Sequence, residues 1–106
     1  MTSPNTLQER RAWLEARTAG GPQVLRDRVL EHAAMIEEGE TTAEQVALAA
    51  ERVLAIVEEH PGDRSIALDL LAADALITLA LLAQAETDPE RLGAFTEGLL
   101  AAERIV

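Results

Sequence analysis

One stretch constrains this chain more than any other: IALDLLAADALITLALLAQA, residues 66–85. It is apolar on every side, yet Asp69 and Asp74 sit inside it. A helix apolar all round belongs in the middle of something, because no face of it suits water. The predicted fold is therefore all-α. It is a compact bundle of about five helices around one very apolar central helix, residues 63–86, with residues 1–106 forming a single helical domain.

Composition agrees with thin, closely packed helices. Hydrophobic residues make up 48% of the chain but aromatics only 2%, Trp13 and Phe95, so Leu, Ala, Val and Ile must build the core. A sandwich or barrel draws on β-branched and aromatic residues instead. Cysteine is absent, which excludes disulfides, thiolate metal sites and a Cys nucleophile.

Punctuation separates the helices. Ser3-Pro4 and Thr6-x-x-Glu9 both offer a first start, the second as a capping box. Gly20-Gly21 ends that helix and Pro22 fits the first position of the next. Gly39 is expected to close the second helix. Thr41-x-x-Glu44 is another capping box. His60-Pro61-Gly62 breaks the third helix, with Asp63 or Ser65 capping the fourth. Asp88-Pro89-Glu90 opens the fifth. Single apolar stripes run along the others: Leu25, Val29, Ala33 and Ile36; Val46, Ala50, Val53 and Val57; Leu92, Phe95, Leu99, Ala102 and Val106. The first helix is weaker, with Leu7, Trp13 and Leu14. Single-stripe helices cover an all-apolar one incompletely. Surplus surface on the fourth helix, including Ile77, Leu81 and Leu82, is expected to meet a second copy in a two-fold homodimer.

The net charge is −10 and uneven. Residues 1–30 hold five Arg and three acids, whereas residues 31–106 hold four Arg and sixteen acids. An acidic body repels nucleic acid and anionic membranes, and favours a protein partner with a basic surface. Arg10, Arg11 and Arg17 make the first helix locally basic, and it is expected to dock on the acidic body of its own chain or a neighbour's. All nine basic residues are Arg, which reads as the coding bias of a GC-rich, bacterial genome. Residues 66–85 have transmembrane length, but an Asp near a bilayer centre costs about 2.5–3.5 kcal/mol, and flanking Lys/Arg and interfacial aromatics are missing. Residues 1–20 lack the apolar segment of a signal peptide. A cytoplasmic protein is expected.

Asp69 and Asp74 are the foremost site candidates. They lie about 140° apart around a helix axis, so they do not form one tight pair. Asp74 and Thr78 share a face. Each Asp is expected to be a buried acid paired with Arg or a backbone N–H, or one lying at a subunit edge, or else a buried acid of raised pKa or a Mg²⁺ ligand, and Asp74 in particular is expected to be buried and hydrogen-bonded. Glu37, Glu38 and Glu40 form an acidic run at a helix end, where they oppose the helix dipole. His32 and His60 have no partner at metal-ligand spacing and read as surface or capping residues. No Gly-rich phosphate loop or Ser-His-Asp set is present.

AADALITLALLA, residues 72–83, is similar to the aspartate-bearing helix of the all-α, MazG-like nucleotide pyrophosphohydrolases. In that family the Asp follows a Glu by three residues, and an ExxE pair on another helix completes a Mg²⁺ site. The resemblance implies Glu37 and Glu40 as the ExxE pair and Asp74 as the aspartate. This chain departs from the pattern: Leu71 stands in the place of the partner Glu, and Gly39 precedes Glu40. The leading expectation is accordingly a non-enzymatic protein acting by protein–protein contact, as adaptor, regulator or scaffold, with no catalytic residue, metal or cofactor. The alternatives are a Mg²⁺-dependent nucleotide pyrophosphohydrolase and a helical pocket for an apolar small molecule.

Overall fold

The computed structural model describes residues 6–104, the last three in backbone only. The start signal at Ser3-Pro4, and the stripe positions Ala102 and Val106, fall outside the described residues and side chains. Five α-helices follow one another: α1 (Leu7–Thr18), α2 (Gln23–Ala34), α3 (Thr42–Glu59), α4 (Ile66–Thr87) and α5 (Leu92–Arg104), with a 3₁₀ turn at Pro89–Arg91. No strand occurs among the described residues. The radius of gyration is 13.4 Å, close to the value expected of a packed chain of this length.

Two predicted caps form. Thr6 Oγ1 accepts from Glu9 N–H, and Thr41 Oγ1 accepts from Glu44 N–H. Glu44 answers by accepting from the backbone of Glu40 at 2.7 Å, one residue outside the usual capping box. His60 ends α3, its Nδ1 donating to the Ile56 carbonyl, as a capping histidine does. The central helix runs 66–87 rather than 63–86. Asp63 Oδ1 accepts from both the N–H and the hydroxyl of Ser65, a local turn that holds 63–65 out of the helix. Those same bonds hold the Asp63 carboxyl below the usual carboxylate range.

The second helix also differs from expectation. It stops at Ala34, not at Gly39, and residues 36–39 form a connector without regular structure. The reason is tertiary. Gln45, buried on α3, donates to the carbonyls of Ala33 and Ile36, and Arg10, buried on α1, donates to the Gly39 carbonyl at 3.0 Å and to Gln45 Oε1 at 3.3 Å. These two side chains satisfy carbonyls that helical continuation would otherwise have used. Gly39 itself turns the chain at φ +98°, and a Cβ there would meet Gln45 N at 2.9 Å. Only glycine suits that position.

Helix α4 is the hub. It packs most extensively on α3, then on α2 and α5. Leu14, Val29, Val46, Val53 and Leu76 are the largest fully buried side chains. The core that α3 and α4 share holds a seam of buried alanines, Ala47, Ala49 and Ala50 on α3 with Ala72, Ala73 and Ala80 on α4, and Ala43 and Ala83 are buried as well. Trp13 and Phe95 pack at the edge of this core. Leu7 does not join it and lies on the surface.

Candidate functional site

The two aspartates of α4 define two different places. Asp69, 8% exposed, lies in the first turn of α4, where the helix dipole favours a negative charge. Its Oδ1 accepts from Arg28 Nη1 and from His32 Nε2, both at 2.9 Å. An ionised carboxylate only accepts, so the His32 Nε2 carries a proton. Arg28 and His32 stand one turn apart on α2, beside its apolar stripe. The cluster therefore fastens α2 to α4. Burial pushes the Asp69 carboxyl up, but the hydrogen bonds from His32 and Arg28 and their charge outweigh it, and the group sits below its ordinary value. His32 is thus not the surface residue that its sequence context suggests; it is nearly enclosed, with its ring on Asp69.

Asp74 overturns an expectation: it is exposed, not buried. Its apolar sequence neighbours do not enclose it, because Ala73 and Leu76 face the core while Leu70 and Leu71 face water beside it. Leu71 is 56% exposed, Leu70 51% and Leu82 37%. With Ala67 and Thr78, also exposed, and half-buried Leu81 and Ala85, they form one stripe along the whole outer face of α4. Thr78 donates its hydroxyl to the backbone carbonyl of Asp74 at 3.1 Å. Next to Thr78, the corner between α1 and α2 forms an open groove of about 290 Å³, with Arg17, Arg26, Leu25 and Val29 among its walls.

The acidic positions of the connector do not join Asp74. Glu37 and Glu40 lie beyond the end of α2 and are exposed, Glu37 lining a separate 160 Å³ groove with Leu7, Arg11 and Leu30. Among the described residues, no three His, Asp or Glu side chains come together at metal-binding spacing. The Mg²⁺ ligand set implied by residues 37, 40 and 74 is therefore not assembled.

The basic residues of α1 are tied to their own chain. Arg17 reaches Glu86 at the far end of α4 at 2.7 Å, Trp13 Nε1 donates to the same carboxylate, and the Arg17 guanidinium lies over the Trp13 ring. Arg11 pairs with Glu15, and Arg10 is buried against the connector. Sequence reasoning singled out neither Arg28 nor Gln45, and it took Arg10 for part of a basic docking face and His32 for a surface or capping residue. For Arg28 and His32 the available signal was their i, i+4 spacing along the edge of the α2 stripe.

Among the described residues α4 is the one helix long and apolar enough to cross a membrane, and part of it is buried within the fold. Compared with known proteins, the chain matches no family model, no curated protein and no solved structure.

Proposed function

We propose that this protein acts by protein–protein contact, not catalysis, and that the outer face of α4 is its contact surface, occupied by a second copy of the chain. One observation carries the reading: Leu70, Leu71 and Leu82 stand in water together on one side of the most apolar helix of the molecule. An exposed leucine-rich stripe of this kind, interrupted by Asp74 and Thr78, marks an interaction site. Burying it is worth about 25 cal/mol per Å², less the cost of association. The acidic character of the chain supports, beyond the homodimer, an adaptor or regulatory role toward a basic protein surface.

The expected result is a dimer mass by light scattering coupled to size exclusion. Each copy carries −10, so added salt tightens the pair as the Debye length falls to about 8 Å at physiological ionic strength. The variant carrying Leu71→Glu and Leu82→Glu runs as a folded monomer. A monomer mass for the unaltered chain at every salt concentration refutes the homodimer.

A further inference from the structure

Apart from its central pair, Asp74 and Thr78, the outer stripe of α4 reads the same in both directions. Taken outward from Leu76, Asp74 is matched by Thr78, Leu71 by Leu81, Leu70 by Leu82 and Ala67 by Ala85. All eight lie on the exposed or half-buried side, while Leu76 itself points directly away and is fully buried. Residues 67, 71, 74, 78, 81 and 85 are spaced alternately four and three apart, the seam of a helix that pairs with another helix.

From this we infer that α4 pairs antiparallel with α4 of a second copy, about a two-fold axis at the level of Leu76. The inference rests on the contact reading above and adds direction and register to it. Such an axis brings residues equidistant from Leu76 to the same level. Each end of the crossing becomes a layer of four leucines, Leu70 and Leu71 from one copy with Leu81 and Leu82 from the other. Near the centre, Asp74 of each copy faces Thr78 of the other. The Thr78 hydroxyl turns from its own helix carbonyl to donate to that carboxylate. The α1–α2 corner beside Thr78 presents Arg26, so the incoming Asp74 arrives near positive charge, Arg17 of the same corner being paired with Glu86.

Asp74 selects this arrangement against its competitors. A parallel pair sets Asp74 against Asp74 of the second copy, and like charges at one level repel. An antiparallel pair slipped by one layer sets Asp74 against Asp74 of the second copy, where like charges repel, or against Leu81, leaving a buried carboxylate without a donor. A single polar position in an apolar seam is a known device for fixing register.

The chain contains no cysteine, so introduced thiols report register cleanly. Leu71→Cys and Leu81→Cys variants, each confirmed helical by circular dichroism, are oxidised separately and as an equal mixture. The mixture is expected to form a covalent dimer readily. Each variant alone does not, because its two sulfurs lie about 15 Å apart along the axis, whereas disulfide Cα atoms lie about 4.4–6.8 Å apart. If half-buried Leu81→Cys does not fold, Ala67→Cys with Ala85→Cys makes the same comparison. Thr78→Val is expected to weaken pairing about tenfold, since Asp74 loses its donor. Equal cross-linking of each variant alone overturns the inference. So does an unaltered chain that is dimeric by light scattering but shows no preference for the mixture, an outcome that leaves the contact reading standing. A monomeric unaltered chain overturns both.

Discussion

Asp69 and Asp74 occupy the same helix five residues apart, and their surroundings are opposite. Asp69 is enclosed between α2 and α4 with Arg28 and His32 on one oxygen. Asp74 stands in water, in the middle of a leucine stripe, and in the described fold only its backbone carbonyl accepts a side-chain hydrogen bond from its own chain. Both are embedded in nearly identical apolar sequence. What separates them is angle: a turn and a half of helix moves a carboxylate from the α2 contact to the outer face. An apolar neighbourhood along the chain says little about burial; the face decides.

The largest effect is expected at the enclosed acid. Asp69→Ala removes the partner of two cationic or proton-donating groups, a change that costs about 3–5 kcal/mol at a fully buried pair. Arg28 is about a third exposed and recovers solvation, so the expected loss is about 1–3 kcal/mol, read by urea denaturation. No loss would mean that α2 is held by its apolar stripe alone.

Acid titration sharpens the contrast. The folded-state pKa of Asp69 is depressed, so its contribution to stability is fully present above the unfolded value near 3.8 and is lost as pH falls through the lower folded value. Stability measured from pH 6 to pH 2 should therefore show a step below about pH 4. The step should shrink in Asp69→Asn and persist in Asp74→Asn. An unchanged step in Asp69→Asn would assign acid sensitivity to other carboxylates.

The smallest effect is expected at the exposed acid. Asp74→Ala should change the stability of the monomeric fold by no more than about 0.5 kcal/mol, as surface substitutions do. This is measured at high dilution, below the pairing range. A larger loss would show that Asp74 has a partner within its own chain, and the two aspartates would no longer differ in kind.

Much of the fold was legible because it is written locally. Thr6, Thr41, His60 and Pro89 act within a turn of their own positions, and the stripes of α2 and α3 mark the faces that are buried. Residues such as Arg10 and Gln45 act at a distance, closing the α2–α3 connector from two other helices. Nothing near Ala34 announces that the helix ends there. The same holds for the site. The i, i+4 pair Arg28 and His32 was visible, but its target on α4 depends on how two helices cross. Asp74 was misplaced because its neighbours were weighed by composition instead of by position around the axis.

The alanine seam between α3 and α4 has a thermodynamic consequence. Alanine has no side-chain rotamers to freeze, so closing this contact loses backbone freedom and almost nothing more. The interface is inexpensive in entropy and correspondingly poor in apolar area, since each methyl removes little surface from water. Its response to substitution should be lopsided. Truncation has almost nothing left to remove, whereas one added branch at fully buried Ala73 or Ala80 has to displace the atoms packed around it. The centre of this molecule is a place where side-chain size is limited from above.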